Sequence, residues 1–229
     1  MKVIRHLLSQ RPRKMMSDIH TRTVTAIEPY KNGKGRYAVY LNDMFAFVLY
    51  KGELSQYDLR EGMQLSPELY DRIMKETISP RAKKRGMNLL MSMDRTEADI
   101  RRKLTDGGYP PEAVDEAVEY LISFHYIDDA RYASEYIRFK SLSMSRRQIT
   151  VKLAQKGIDK DTIAEAFSAF EEESGQDRDD TEMALIRKLI KKRCPGGVTS
   201  LDDGDRKKLY SYLYGKGFSV SSIDKACSE

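Results

Sequence analysis

One pattern of apolar residues and glycine occurs three times in the second part of this chain. The copies are IRRKLTDGGYPPEAVDEA, ITVKLAQKGIDKDTIAEA and LYSYLYGKGFSVSSIDKA, and they begin at Ile100, Ile149 and Leu209. Two of the matched columns are Leu104, Leu153, Leu213 and Gly108, Gly157, Gly217. A unit repeated at this length is one supersecondary structure that buries its apolar face against neighbouring copies. The repeat therefore restricts the chain to a tandem array.

The matched glycines predict how each copy folds. Each glycine follows the matched leucine by four residues, where a helix commonly ends in a left-handed residue that glycine adopts at little cost. The apolar residue after the glycine can then contact that leucine, as in a Schellman motif. Thr96 and Ser145 begin sequences that resemble capping boxes, which mark helix N-termini. Each copy therefore reads as helix, tight turn, helix.

A further helix is expected before each copy, over residues 81–92, 129–141 and 181–193. Upstream, TVTAIE, RYAVYL and FAFVLY are β-branched and aromatic, which predicts a three-stranded meander followed by short helices. We expect a mainly α fold, an elongated array of three tandem three-helix repeats behind a small β-rich N-terminal domain. The expected bounds are 1–17 for a basic disordered tail, 18–79 for the β-rich domain, and 80–127, 128–175 and 176–229 for the repeats.

The excess positive charge comes from the N-terminal tail. The chain holds 40 Lys and Arg against 35 Asp and Glu, a net charge of +5. Residues 1–17 contain five basic residues and no acid, so the remainder sums to zero and the high pI is weak support for nucleic-acid binding. No segment is apolar over the roughly 20 residues of a membrane helix, and two cysteines suit a reducing compartment. We therefore expect a soluble cytoplasmic protein.

The adjacent carboxylates Asp128 and Asp129 are the strongest candidates for a chemical site. A metal site would need further carboxylates or histidines nearby, and the sequence identifies none. The pair instead begins a helix, where carboxylates bind free N–H groups and complement the helix dipole. Tyr132, Tyr136 and Phe139 follow at helical spacing as an apolar stripe for packing. We expect no catalytic residue, metal or cofactor, and hence no enzyme.

Charges are segregated among the predicted helices. Residues 138–156 carry six basic groups and no acid, whereas residues 159–182 hold ten acids and two bases. Two interpretations stay open. The charges could pair locally on ordinary solvated helix faces, or they could form basic and acidic ridges for a charged, elongated partner, either nucleic acid or a protein filament.

Several motifs are shared with a known family. YIDDARYASEYI followed by SRRQITVKLAQKGID, and the earlier RTEADIRRKL with its GY, closely resemble the RecX family of regulatory proteins. VTAIEPYKNGKGRYAVYLND followed by REGMQLS resembles the extra N-terminal segment of its Gram-positive-type members. The resemblance is weakest in the third copy. It implies a non-enzymatic modulator of the RecA recombinase that lies along the RecA–single-stranded DNA filament and lowers its ATPase, strand-exchange and co-protease activities, with a role in DNA repair, recombination and the SOS response.

The resemblance also guides the choice of contact residues and partners. Contacts to the RecA filament or its single-stranded DNA are expected from nine basic side chains: Arg101, Arg102, Lys103, Arg138, Lys140, Arg146, Arg147, Lys152 and Lys156. A family signature with a mainly structural role comprises Tyr126, Ile127, Asp128, Asp129, Arg131, Tyr132, Gly108, Gly157 and Gly217. We expect a monomer with no membrane partner. The alternative is a helical-repeat protein that binds DNA or RNA directly.

Overall fold

The computed structural model describes residues 22–31, 35–174 and 178–228, so the predicted basic tail lies outside the described residues. The chain divides into two compact units. The first contains the described residues up to Arg81 together with Gly108–Ala113, and the second contains Ala82–Gly107 and the chain from Val114 onward. In the described ranges, no helix is long and apolar enough to cross a bilayer.

A four-stranded antiparallel sheet forms the centre of the first unit. The strands are β1 (Arg22–Pro29), β2 (Arg36–Leu41), β3 (Met44–Tyr50) and β4 (Gln64–Leu65), in the order β3-β2-β1-β4. The predicted meander of the first three strands is confirmed. The sequence did not predict the fourth strand, β4, because its two residues are too few to show an alternating pattern.

The β2–β3 hairpin turns at Asn42 and Asp43, which both have positive φ, +50° and +64°. Positive φ at both central residues defines a type I′ turn, whose twist matches that of the flanking strands. Asn and Asp tolerate this conformation better than other side chains. The turn thereby sets Leu41 opposite Met44 in the register of the two strands.

The helix α1 (Lys51–Gln56) lies between β3 and β4, and α2 (Pro67–Ile73) and the π-helical segment Met74–Ile78 follow β4. Ser66 caps α2 by accepting a hydrogen bond from the N–H of Leu69. Arg81 binds both carboxylate oxygens of Glu53 and donates to the carbonyl oxygen of Val48 on the edge strand β3, at 2.5 Å. This guanidinium covers an edge carbonyl that would otherwise need water.

Nine α-helices make up three repeats over the described residues of the C-terminal part. Repeat 1 holds α3 (Ser79–Leu90), α4 (Glu97–Asp106) and α5 (Pro111–Ser123). Repeat 2 holds α6 (Asp129–Lys140), α7 (Arg146–Gln155) and α8 (Lys160–Ser174). Repeat 3 holds α9 (Arg178–Arg193), α10 (Asp203–Gly215) and α11 (Val220–Ser228), with a 3-10 turn at Val198–Ser200.

The middle helix of each repeat ends at the matched glycine, as the spacing predicts. Gly108, Gly157 and Gly217 have φ values of +86°, +87° and +86°. In repeats 2 and 3, the N–H of the following apolar residue donates to the matched leucine carbonyl, Ile158 to Leu153 and Phe218 to Leu213. These hydrogen bonds span six residues and are the outer hydrogen bonds of the Schellman motif.

The cores of repeats 2 and 3 follow the predicted columns, with one error. Ile149, Leu153 and Ile163 are buried together in repeat 2, and the corresponding residues form the core of repeat 3. Tyr132 and Tyr136 pack against the core of repeat 2 as expected. Phe139 does not: its surface is 84% exposed. The predicted stripe was wrong at this residue, because the buried face of α6 contains Ala133 and Ile137. Phe139 comes two residues after Ile137 and so lies on the opposite face of the helix.

Candidate partner-binding surface

The acidic pair Asp128 and Asp129 caps two different helices. Asp128 is the N-cap of α6 and accepts a hydrogen bond from the N–H of Arg131 at 2.8 Å. Asp129 accepts from the N–H of Glu97, the first residue of α4 in repeat 1, at 2.9 Å. Burial raises the pKa of Asp129, and the Glu97 N–H partly opposes this shift. Each carboxylate therefore satisfies an otherwise free helix N-terminus.

Two N-cap hydroxyls join successive repeats. Thr96 Oγ1 accepts from the N–H of Asp99 within its own helix and donates to the carbonyl oxygen of Lys156 in the glycine turn of repeat 2, at 2.7 Å. Ser145 Oγ does the same in repeat 2, donating to the carbonyl oxygen of Lys216 in the turn of repeat 3, at 2.6 Å. A hydroxyl can fill both roles because it donates and accepts at once.

The matched glycines let the turns approach these caps closely. A Cβ at Gly157 would lie under 3.0 Å from the Cβ of Ala98, near the start of α4. A Cβ at Gly217 would lie 2.9 Å from Ser145 Oγ. In the first unit, a Cβ at Gly108 would meet the side chain of Val48 on β3. The glycines therefore end a helix and also form a contact surface for another element.

Asp99 and Lys156 form an ion pair between repeats 1 and 2. Lys156 Nζ lies 3.0 Å from Asp99 Oδ2, and Arg102 binds the other oxygen at 2.5 Å. Burial alone would raise the pKa of Asp99, but the hydrogen bond and charge of Lys156, with Arg102 and Arg95, hold it below its ordinary value. Two of the nine predicted contact residues, Arg102 and Lys156, are thus bound to a carboxylate of the protein itself.

Arg101 and Arg138 are likewise paired within their own repeats. Arg101 of α4 binds Glu97 at 2.6 Å and also Asp115 of α5. Arg138 of α6 binds Glu173 of α8 at 2.6 Å. The basic first and second helices therefore pair with the acidic third helix, which supports the local-pairing interpretation for these residues.

Arg146 follows the same pattern and is partly covered. Its guanidinium binds Glu171 of α8 and lies over the Phe167 ring, 4.0 Å from the ring centroid. Such stacking combines cation–π attraction with apolar contact. Arg146 therefore holds α7 to α8 in repeat 2.

Four predicted contact residues differ from these five. Lys103, Lys140, Arg147 and Lys152 have no ion pair or side-chain hydrogen bond with any residue in the described ranges. Arg147 and Lys152 are exposed, Lys103 and Lys140 are half-buried, and Lys103 occupies in α4 the position that Lys152 occupies in α7. Their charges are therefore available to a partner.

The remaining signature residues are mostly part of the framework. Ile127 is buried, and Tyr132 stacks on Tyr136 with ring centroids 6.3 Å apart. Arg131 lies 4.0 Å from Asp94. Tyr126 differs from these, because 46% of its surface is exposed beside Phe124.

Two exposed apolar residues that the sequence reasoning missed lie beside the available charges. Val151 of α7 and Tyr214 of α10 line, with Arg147 and Lys152, a groove of about 360 Å³. They are 47% and 56% exposed. A signal was present: Val151 lies off the buried stripe of Ile149 and Leu153, and Tyr214 replaces the small residues of the same column in the other copies.

Among the described residues, no three His, Cys, Asp or Glu side chains could share a metal ion.

Family models match three parts of the chain. The first two, described as the first and second three-helix domains of RecX, match residues 82–121 and 128–166. The model described as the N-terminal domain of regulatory protein RecX matches residues 22–66. Together they cover more than half of the chain and include both the sheet and the first two repeats.

Individual relatives agree with these matches over nearly their whole length. The regulatory protein RecX of Clostridium acetobutylicum is 26% identical over 209 residues, with 90% of this chain and 95% of that protein covered. The protein of the same name from Clostridium botulinum strain Alaska E43 is 28% identical over 216 residues, with the same coverage. A crystal structure of a regulatory protein RecX matches 91% of this chain and 100% of its own, at 28% identity and a TM-score of 0.56. RecX from Lactobacillus salivarius, at 22% identity and a TM-score of 0.53, covers 66% of this chain and 94% of its own and agrees in fold.

Proposed function

Because the chain belongs to the RecX family, we propose that it regulates the RecA recombinase by binding the RecA–single-stranded DNA filament. Its curated relatives are named regulatory proteins, and the proposed action is non-enzymatic: occupancy of the filament lowers RecA's ATPase, strand-exchange and co-protease activities. We place this action in the cytoplasm.

The position of the unpaired charges carries the proposal. Lys103 and Lys152 occupy the same position in the middle helices of successive repeats. A side chain repeated in this way suits a partner that also repeats, as a protein filament does. Arg147 lies in α7 with Lys152, so repeat 2 offers two charges on one helix.

Direct binding to nucleic acid is the weaker candidate. A protein that binds the phosphate backbone of bare DNA does so through several Lys and Arg contacts, about 6–10 in strongly salt-dependent cases. Five of the nine predicted contact residues are already bound to carboxylates of this chain. Recruiting them to phosphates would break ion pairs within the repeats and, at Lys156, the ion pair between repeats 1 and 2.

The test is RecA's single-stranded-DNA-dependent ATP hydrolysis, titrated with the full-length protein, beside a bare-DNA binding assay at the same salt concentration. We expect hydrolysis to fall at concentrations that leave bare DNA unbound. Unchanged hydrolysis together with salt-dependent DNA binding would refute the proposal and support direct nucleic-acid binding instead.

A matched pair of charge reversals tests the surface. Arg147→Glu with Lys152→Glu removes two available charges, and we expect half-inhibition to require at least about tenfold more protein, a change of about 1.4 kcal/mol. The control is Lys51→Glu with Lys160→Glu, which makes the same change in net charge at two exposed residues that begin α1 and α8. A glutamate is favourable at a helix N-terminus, so the control should fold normally and inhibit like the wild type.

A further inference from the structure

The groove between α7 and the end of α10 is held in shape by the framework. Its two sides are joined by the Ser145–Lys216 hydrogen bond and by the close approach of Gly217 to Ser145. Its lining residues Arg147, Val151, Tyr214 and Gly217 also line an adjoining cavity of about 720 Å³, so the two form one trough. A preformed trough binds a partner with little ordering cost.

The chemistry of the groove is mixed rather than simply basic. Arg147 and Lys152 supply two positive charges, and the described residues that line this groove include no carboxylate, whereas Glu182 lines the adjoining cavity. Val151, Tyr214 and Met144 supply apolar surface between and beside them. Gln148 adds an amide that can donate and accept hydrogen bonds.

These properties fit an acidic protein segment better than a phosphate backbone. Two cations are few for a nucleic-acid strand, which presents a phosphate at every nucleotide. An exposed valine binds no phosphate, and among the described residues that line the groove Tyr214 alone offers an aromatic face on which a base could stack. A peptide that carries a large apolar side chain between carboxylates matches the valine, the tyrosine and both cations at once.

Resting on the proposed function, we propose that this groove binds an acidic segment of the RecA protein itself, through one large apolar side chain flanked by carboxylates. The apolar side chain packs between Val151 and Tyr214. The carboxylates pair with Arg147 and Lys152. The groove is then a protein–protein contact that the DNA of the filament does not share.

The test removes the apolar surface without changing the charge. Val151→Ser with Tyr214→Ser is compared with Val220→Ser, a valine that is 53% exposed on α11 and does not line the groove. We expect the double variant to need at least fivefold more protein for half-inhibition of RecA's ATPase. Its binding to bare oligo(dT), the dependence of its inhibition on salt and its thermal unfolding should match those of the wild type, and Val220→Ser should behave as wild type throughout.

Three outcomes would overturn the inference. Full inhibition by the double variant would show that the apolar surface of the groove contributes nothing, while the proposed function would stand. A parallel loss of oligo(dT) binding would assign the groove to nucleic acid. Absence of any effect of the wild-type protein on RecA would refute the proposed function, and the groove's assignment to RecA with it.

Discussion

Replacing Gly157 by alanine tests whether the glycine turn of repeat 2 is a docking surface as well as a helix end. Gly157 has a φ of +87°, a conformation that costs an L side chain about 1–2 kcal/mol. The added Cβ would also lie under 3.0 Å from that of Ala98 in repeat 1. Overpacking of this kind costs about 1–3 kcal/mol. The free energy of unfolding should therefore fall by about 2–5 kcal/mol.

Gly62→Ala is the matched control, because Gly62 has a φ of +81° but open space where its Cβ would be. It should lose the backbone term alone, about 1–2 kcal/mol. Adding Ala98→Gly to the Gly157→Ala variant removes the facing Cβ. The double variant should then lose about 1–3 kcal/mol less than the two single losses added together.

The measurement is urea-induced unfolding at pH 7, followed by far-UV circular dichroism, with the slope against urea compared among the variants. A Gly157→Ala loss no larger than that of Gly62→Ala would contradict the role of close approach. So would additive losses in the double variant, because the two positions would then be energetically independent.

Substitutions at three further positions test the contacts between repeats. Asp129→Ala removes the acceptor for the Glu97 N–H and should lower the free energy of unfolding by about 0.5–2 kcal/mol. Asp129→Asn keeps an acceptor oxygen without the buried charge, so urea unfolding at pH 7 should show it to be at least as stable as the wild type. Lys156 holds the pKa of Asp99 below its ordinary value, so the ionised carboxylate stabilises the fold. The stability lost in Asp99→Asn should therefore be constant between pH 7 and about pH 5 and should shrink as the pH falls below about 4. A loss that stays independent of pH down to about 3 would contradict the ion pair. Ser145→Ala removes a helix cap and an inter-repeat bond together, so thermal unfolding should show a larger loss than the ~1 kcal/mol of a cap alone.

Local structure was predictable at positions where a residue type strongly favours one backbone conformation or one capping role. A glycine after a helical leucine column predicts a left-handed helix end, and serine or threonine before a helix predicts a cap. Gly157 and Ser145 follow these rules in the structure. Their second contacts, to Ala98 and Lys216, were not predictable, because local preferences do not show what another repeat brings to the same place.

The charges show the same limit more strongly. The basic run that contains Arg101 predicts a contact residue there, yet Arg101 pairs with Asp115, 14 residues away. Arg146 pairs with Glu171, 25 residues away. Pairings across such separations depend on how helices meet, so a run of basic residues in the sequence overstates the charge that a partner can reach. The groove residues Val151 and Tyr214 were missed for the opposite reason, because an exposed apolar residue resembles a core residue when only its type is known.

The double role of the cap hydroxyls has a consequence for cooperativity. In a tandem array, stability is approximately the sum of terms for single repeats and terms for neighbouring pairs. Here the Ser145 hydroxyl contributes to the stability of the contact between repeats 2 and 3, and the same hydroxyl caps α7 of repeat 2. When repeat 3 frays, α7 loses a bond that orients its own cap, and repeat 2 becomes easier to open. Unfolding that begins in repeat 3 should therefore spread through repeat 2 towards repeat 1. The next contact to be lost is the hydrogen bond from Thr96 of repeat 1 to the Lys156 carbonyl oxygen of repeat 2.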